Sequence, residues 1–219
     1  MTEKERAKRV WERLRARYPR LRSHLDFRDA WELTAATCLA AQCTDKRVNM
    51  VTPAFFARWP NPASLAEAEL TEVEDMIRST GFYKNKAKNL VAAAKRVTEV
   101  FHGEVPRTLA ELVTLPGVAR KTANCVLSGA FGINEGLAVD THVGRITYRM
   151  GLTESRDPIR VERDLLPLFP RKDWGEVNNC MVSFGREVCK AQKPLCEQCE
   201  MEDICPQIGT GKTGDKAKG

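Results

Sequence analysis

The sequence predicts an all-α fold, and three observations predict it. Apolar residues recur at helical spacing through nearly every segment, no segment alternates with period 2, and the periodic stretches end at glycines or prolines. The first helix is basic and carries an apolar stripe of Val10, Trp11 and Leu14. Asp29 caps a helix through AWELTAATCLAAQC (30–43). KRVNMVTPAFFARW (46–59) continues at helical period, with Pro53 placed to kink or split it. LTEVEDMIRSTG (70–81) ends at Gly81, and KNKAKNLVAAAKRVTEVFHG (84–103) ends in the same way at Gly103. TLAELVTL (108–115) is a short helix, PGVA turns the chain, and RKTANCVLSGAFG (120–132) is helical again. LAVDTHVGRITYRMG (137–151) gives a short extended piece, then a helix capped by Asp140 and ending at Gly151. PIRVERDLLPLF (158–169) and WGEVNNCMVSFGREVC (174–189) close the series at around ten helices with short connections and no internal repeat. The Gly- and Lys-rich tail, 209–219, is expected to be disordered.

Composition narrows the function classes. The chain has 219 residues, enough for one large domain or two small ones with a real core. With 42% hydrophobic and 29% charged residues it is globular rather than disordered. No apolar run approaches the roughly 18 residues of a membrane span, and no signal-peptide core precedes the first helix. A membrane role is therefore not expected, and the protein is expected in the cytoplasm. Residues 1–22 carry nine Lys or Arg against three Glu, a local excess that equals the net charge of +6. A basic helix beside a neutral body suits a polyanion such as nucleic acid, and equally a solvated helix face.

The stretch LPGVARKTA (115–123) draws attention to itself. Pro116 stops one helix, Gly117 is free to take a positive φ, and backbone N–H groups of the turn and of the next helix's start have no helical partner. Such a turn is an anion site that suits a phosphate, or an ordinary corner between helices. Lys121 sits where the helix dipole disfavours a cation by about 0.3–1 kcal/mol. Lysine is a nucleophile only when neutral, and at a free pKa near 10.4 only on the order of one in a thousand is neutral at pH 7. A positive helix end, the neighbouring Arg120 and partial burial all lower that pKa. Lys121 is thus either an activated amine or a phosphate-contacting cation. Asp140, before its helix, reads first as an N-cap, and His142 as a structural or phosphate-side residue. Gln42, Phe82 and Tyr83 are either core or loop residues, or groups able to reach into a bound polymer.

Eight cysteines divide into two sets. Cys38, Cys43, Cys125 and Cys180 lie in apolar helical surroundings and read as buried thiols of a reducing compartment. Cys189, Cys196, Cys199 and Cys205 give C-x6-C-x2-C-x5-C, a metal-site spacing, with zinc and iron–sulfur not separable on thiolate chemistry alone.

LPGVARKTA resembles the helix–hairpin–helix signature of the endonuclease III family of DNA glycosylases. The resemblance extends to AVDTHVGRI (138–146), LAAQCTDKRVN (39–49), GFYKNKAKNL (81–90) and the four C-terminal cysteines, in order, from about residue 20 to 208. It implies a two-domain all-α fold, with a helical domain at 23–132 and a second domain joining 1–22 to 133–219. It implies a [4Fe–4S] cluster on Cys189, Cys196, Cys199 and Cys205. It implies that Lys121 attacks C1′ of the sugar, expels a damaged base and cuts the strand 3′ of the abasic site by β-elimination, while Asp140 stabilises charge on the sugar across a cleft. Gln42 would fill the gap left by the flipped nucleotide and Phe82 would wedge into the duplex. Leu115, Gly117, Val118, Ala119, Arg120, Thr141 and His142 would line the DNA, with Lys190, Lys193 and nearby Arg186 on phosphates beside the cluster. The implied partner is double-stranded DNA bearing a damaged base or an abasic site, met by a monomer in the nucleoid, with oxidised pyrimidines as substrate.

Two positions depart from the family pattern. Ala119 stands where the hairpin usually has a second glycine, and Gly144 replaces a bulkier residue, removing volume beside the pocket. Two rival readings are a monofunctional glycosylase of the same superfamily, which would normally lack lysine at 121, and a DNA-binding iron–sulfur module, which would not need Lys121 and Asp140 together.

Overall fold

The computed structural model describes residues 1–19, 21 and 23–211. Arg20 and Arg22 of the basic segment and 212–219 of the tail lie outside the described residues. Among the described residues there are eleven α-helices, three short 3₁₀ turns and no strand. The helices are α1 (Glu3–Arg17), α2 (Ala30–Leu39), α3 (Asp45–Arg58), α4 (Pro62–Ala66), α5 (Leu70–Ile77), α6 (Tyr83–Val100), α7 (Leu109–Leu112), α8 (Arg120–Phe131), α9 (Thr141–Arg149), α10 (Pro158–Leu165) and α11 (Trp174–Glu187). The chain divides into two compact units: Ser23–Glu135, and Met1–Arg22 with Gly136–Gly219.

The first of these units, α2 to α8, is built around α2. Asp29 starts that helix by accepting from Glu32 N, and Trp31 to Leu39 are all buried. A helix apolar on every side belongs in the middle of its unit, and α2 packs on α3, α6 and α8. Glu32 is its one buried charge, and the Arg28 side chain and backbone N–H groups bind its carboxylate. The expected helix to Cys43 stops early: Ala40 to Gln42 form a turn, and Gln42 takes φ +54°. Helix α3 runs through Pro53 unbroken. Burial of Val48, Phe55 and Phe56, about 1.5–3 kcal/mol each, offsets the roughly 3 kcal/mol that an interior proline costs. Helix α5 ends at Ile77 and tightens into a 3₁₀ turn at Arg78–Thr80, where Thr80 Oγ1 donates to Ile77 O at 2.8 Å. Tyr83, expected in a loop, is the first residue of α6 and packs on the core, whereas Phe82 stays outside. The short α4 was not expected at all; Asn61 and Ser64 form a reciprocal capping box at its start.

The other unit packs Ala7, Val10, Trp11 and Leu14 of α1 with residues of α9, α10 and α11. Trp11 Nε1 donates to Asp173 Oδ2 at 2.8 Å. The arginines of α1 have a use beyond the two readings of their charge. Arg6 donates to Ile204 O and Gly151 O, Arg13 binds the Asp203 carboxylate, and Arg17 bridges Glu187 and Glu200. Gly209 to Gly211, expected to be disordered, continue in turns, with Thr210 bonded to Gln207 O. No helix is long and apolar enough to cross a membrane among the described residues.

Phe55 is fully buried against the rings of Phe56 and Trp59. Phe55→Ala is expected to lower unfolding free energy by about 3–5 kcal/mol in urea titrations followed by circular dichroism. A loss under about 1 kcal/mol would mean that the α3 aromatic cluster is not the core of its unit.

Candidate active site and metal centre

The hairpin is anchored from below. Leu115 and Val118 are buried, so their side chains belong to the core of the unit. Gly117 takes φ +81°, and a Cβ there would meet Asn89 Cβ at 3.0 Å. Ala119 is the N-cap of α8 and supplies no side-chain hydrogen bond. Ala119 and Arg120 are exposed, and Lys121, in the first turn, is half-buried.

The hairpin shares a pocket with two other turns. Gln42, Phe82 and Gly117 line one cavity of about 170 Å³, together with Cys38, Lys86 and Asn89. Gln42 is exposed, and Phe82, at 66% exposure, is the most open aromatic side chain among the large hydrophobics at the surface. Phe82 caps α6 from a left-handed conformation, φ +47°. Lys86 and Cys38 are site neighbours that the sequence reading did not single out. Lys86 had a signal: with Leu90, Ala93 and Val97 it falls on the buried stripe of α6, a place where a lysine needs a reason.

Asp140 caps α9. Its Oδ1 accepts from His142 N at 2.8 Å and from Val143 N at 2.9 Å. His142 Nδ1 lies 3.1 Å from Arg145 Nη2. A guanidinium has no acceptor, so Nδ1 must accept and the ring proton sits on Nε2. Asp140 and Thr141 line a cavity of about 390 Å³ with Gly144, Tyr148 and Arg156. A Cβ at Gly144 would meet nothing within 4 Å, so the missing side chain is open space beside the aspartate.

The four C-terminal thiols ring one cavity, walled by Met150, Phe184 and Val188. No three His, Cys, Asp or Glu groups among the described residues converge on a single ion; the sulfurs surround a space instead. Donors point at them: Arg149 Nη1 lies 3.5 Å from Cys189 Sγ, and Met201 N 3.4 Å from Cys199 Sγ. Burial pushes the Cys199 thiol up to about 11 and raises that of Cys205 as well. Thiolates here therefore need strong positive charge among them, which a metal group supplies. Soft donors, an apolar wall and N–H groups aimed at sulfur fit an iron–sulfur cluster. Lys190 and Lys193 are exposed on the loop between the first two thiols, and Arg186 is exposed at the end of α11.

Comparison with known proteins agrees with this geometry. Residues 35–171 match the model of the HhH-GPD superfamily of base excision DNA repair proteins. Residues 189–205 match the iron–sulfur binding domain of endonuclease III. Endonuclease III of Synechocystis sp. is 50% identical over 205 residues, 94% of each chain. The chain belongs to the endonuclease III family. Endonuclease III of Bacillus subtilis is 41% identical, over 91% of this chain and 90% of that one. A structure of a trapped endonuclease III–DNA covalent intermediate, an estranged-adenine complex, superposes with a TM-score of 0.89 at 38% identity, covering 94% of this chain and 97% of that one. Within this family the chain is a base-excision repair enzyme with an iron–sulfur domain.

The hairpin glycine gives a direct test. Gly117→Ala combines a left-handed φ, about 1–2 kcal/mol for an L-residue, with the contact at Asn89. Affinity for a duplex with one abasic site, measured at fixed salt, is expected to fall about tenfold. Unchanged affinity would show that the turn does not need this backbone conformation.

Proposed function

We propose that this endonuclease III family member is a bifunctional DNA glycosylase and abasic-site lyase of base excision repair, with Lys121 as nucleophile and Asp140 as its electrostatic partner. One observation carries the residue assignment: Lys121 stands half-buried in the first turn of a helix that has no side-chain cap, directly after a hairpin turn fixed by Gly117. The field at that helix end disfavours the ammonium, and a lysine must lose its proton to attack.

The neutral amine of Lys121 attacks C1′ of the damaged nucleotide. The C1′–N bond breaks and the base leaves with its electron pair, taking up a proton. The amine gives up one of its two protons and O4′ takes up one as it leaves C1′, so the sugar ring opens to a protonated imine between Nζ and C1′. Loss of a proton from C2′ then expels the 3′ phosphate by β-elimination, and water releases the lysine. Positive charge develops on the sugar as the base departs. Asp140 answers it: two backbone N–H bonds to Oδ1 hold its carboxylate in place and leave Oδ2 to face the substrate. One lysine and one aspartate of the same chain suffice, so a monomer is a complete enzyme.

Reaching the base means flipping the nucleotide out, at a cost of a few kcal/mol. Gln42 takes the vacated space and faces the orphaned base, and Phe82 wedges beside it; both are exposed and border one cavity with the hairpin. Backbone groups of Leu115 to Ala119, with Arg120, Thr141 and His142, contact the DNA strand and position it without reading sequence. Cys189, Cys196, Cys199 and Cys205 hold a [4Fe–4S] cluster, which when bound supplies a rigid cross-link of the loop rather than redox chemistry on the substrate. That loop presents Lys190 and Lys193 to phosphates. Oxidised pyrimidines are the substrate class the family resemblance implies, and the open space at Gly144 admits a base with added substituents.

Borohydride trapping on a duplex with one abasic site tests the nucleophile. Lys121→Gln is expected to cut the covalent adduct by about a thousandfold or more. An adduct that survives places the amine elsewhere, and no adduct from folded wild-type protein removes the lyase assignment. Asparagine caps a helix as well as aspartate does, so Asp140→Asn is expected to fold normally. Its single-turnover base release should drop about 10²–10³-fold; a drop below threefold or so would reduce Asp140 to a cap.

A further inference from the structure

We infer that Lys86 is a positioning residue for strand insertion: its ammonium clamps the last turn of α2 to the turn before α6, and so fixes Gln42 and Phe82 in the backbone conformations from which they enter the duplex. The inference rests on the reading of those two residues as the inserting pair. Lys86 is only 8% exposed, and its Nζ donates to Leu39 O and to Thr80 O, at 2.8 Å each. Leu39 closes α2 and lies three residues before Gln42; Thr80 closes the 3₁₀ turn and lies two before Phe82. One side chain of α6 therefore ties together two segments far apart in sequence.

Burying an ammonium is costly, and an apolar side chain of similar length would fill the space without that cost. What the ammonium adds is a fixed relation between two carbonyls, at helix ends where a cation is favoured. That relation matters because both turns are strained. Gln42 (φ +54°) and Phe82 (φ +47°) are non-glycine residues in the left-handed region. Such conformations cost of order 1–3 kcal/mol each and persist only where the surroundings hold them. The same turn of α2 reaches the hairpin: Cys38 Sγ lies 3.6 Å from Gly117 O. Three left-handed positions, Gln42, Phe82 and Gly117, are thus gathered on one cavity that Lys86 and Cys38 also line.

The test uses the cluster-loaded enzyme and a duplex with 2-aminopurine opposite a tetrahydrofuran abasic analogue, whose fluorescence rises when the opposing base is unstacked. Gln42→Ala and Phe82→Ala serve as references; if neither lowers the rise, the insertion reading fails, whatever Lys86 does. Lys86→Met is expected to slow the rise about tenfold, as small misplacements of positioned groups do, with duplex affinity within about twofold of wild type. Lys86→Arg, which keeps a multi-donor cation, is expected to recover part of the rate. A Lys86→Met enzyme that melts earlier but opens DNA at the wild-type rate overturns the proposal. Should that variant not fold, hydrogen exchange on the wild type decides. A clamp makes the hydrogen-bonded amides of Cys43 and Gly81 open in one event with a common rate, and independent rates overturn it.

Discussion

Burying a ten-residue helix on every side leaves its two ends as the places where its backbone polar groups must find partners. Helix α2 meets this demand at its start with the Asp29 side chain, and at its finish with an ammonium borrowed from α6. The second solution shapes the unit Ser23–Glu135. It gives the last carbonyl of α2 a partner and bonds the turn after α5 to the same cation. It also leaves Gln42 and Phe82 at the surface in conformations neither residue would choose alone. The pocket they share with the hairpin has Cys38 of that helix and Lys86 in its wall.

Helix starts show a related division. Seven α-helices have their first turn capped by a side chain: Thr2, Asp29, Thr44, Asn61, Thr108, Asp140 and Asp157. Four have no such bond, α5, α6, α8 and α11; two of these, α6 and α8, with N-caps Phe82 and Ala119, start beside the cavity that Gln42, Phe82 and Gly117 line. Capping side chains compete with an outside anion for the same N–H groups. Asp140 shows the opposite economy, one carboxylate serving both a helix and a proposed reaction. Ala119 fits the uncapped set: its methyl group has no hydrogen-bonding capacity, and its extended φ of −84° needs no glycine.

The all-α class, the caps at Asp29 and Asp140 and the positive φ of Gly117 were readable from local chemistry, because each depends on a residue and its immediate neighbours. What was not readable depends on distant partners. The carbonyl of Leu39, where α2 stops, finds its donor in Lys86, 47 positions away. Charge alone did not reveal that Arg6, Arg13 and Arg17 hold residues 187–204 of their own chain. Phe82 and Tyr83 are adjacent and chemically alike, yet one is exposed and the other packs on the core; periodicity within α6 separates them only once its first residue is known. The five residues of α4 are too few for periodicity, although the Asn61–Ser64 box was there to be seen.

The clasp between α1 and the cysteine loop also has a meaning in time. Arg6 bonds to Ile204, 198 positions later, and Arg13 to Asp203, 190 positions later. During synthesis the segment 23–135 emerges whole and can fold as soon as it clears the ribosome, since domains generally fold as units. The helix translated before it cannot. Its apolar stripe of Val10, Trp11 and Leu14 and its arginines must wait until the partners between 143 and 204 have been made. Helix α1 is thus made before the segment 23–135 and laid down after it, once the cysteine loop it waits for has been made.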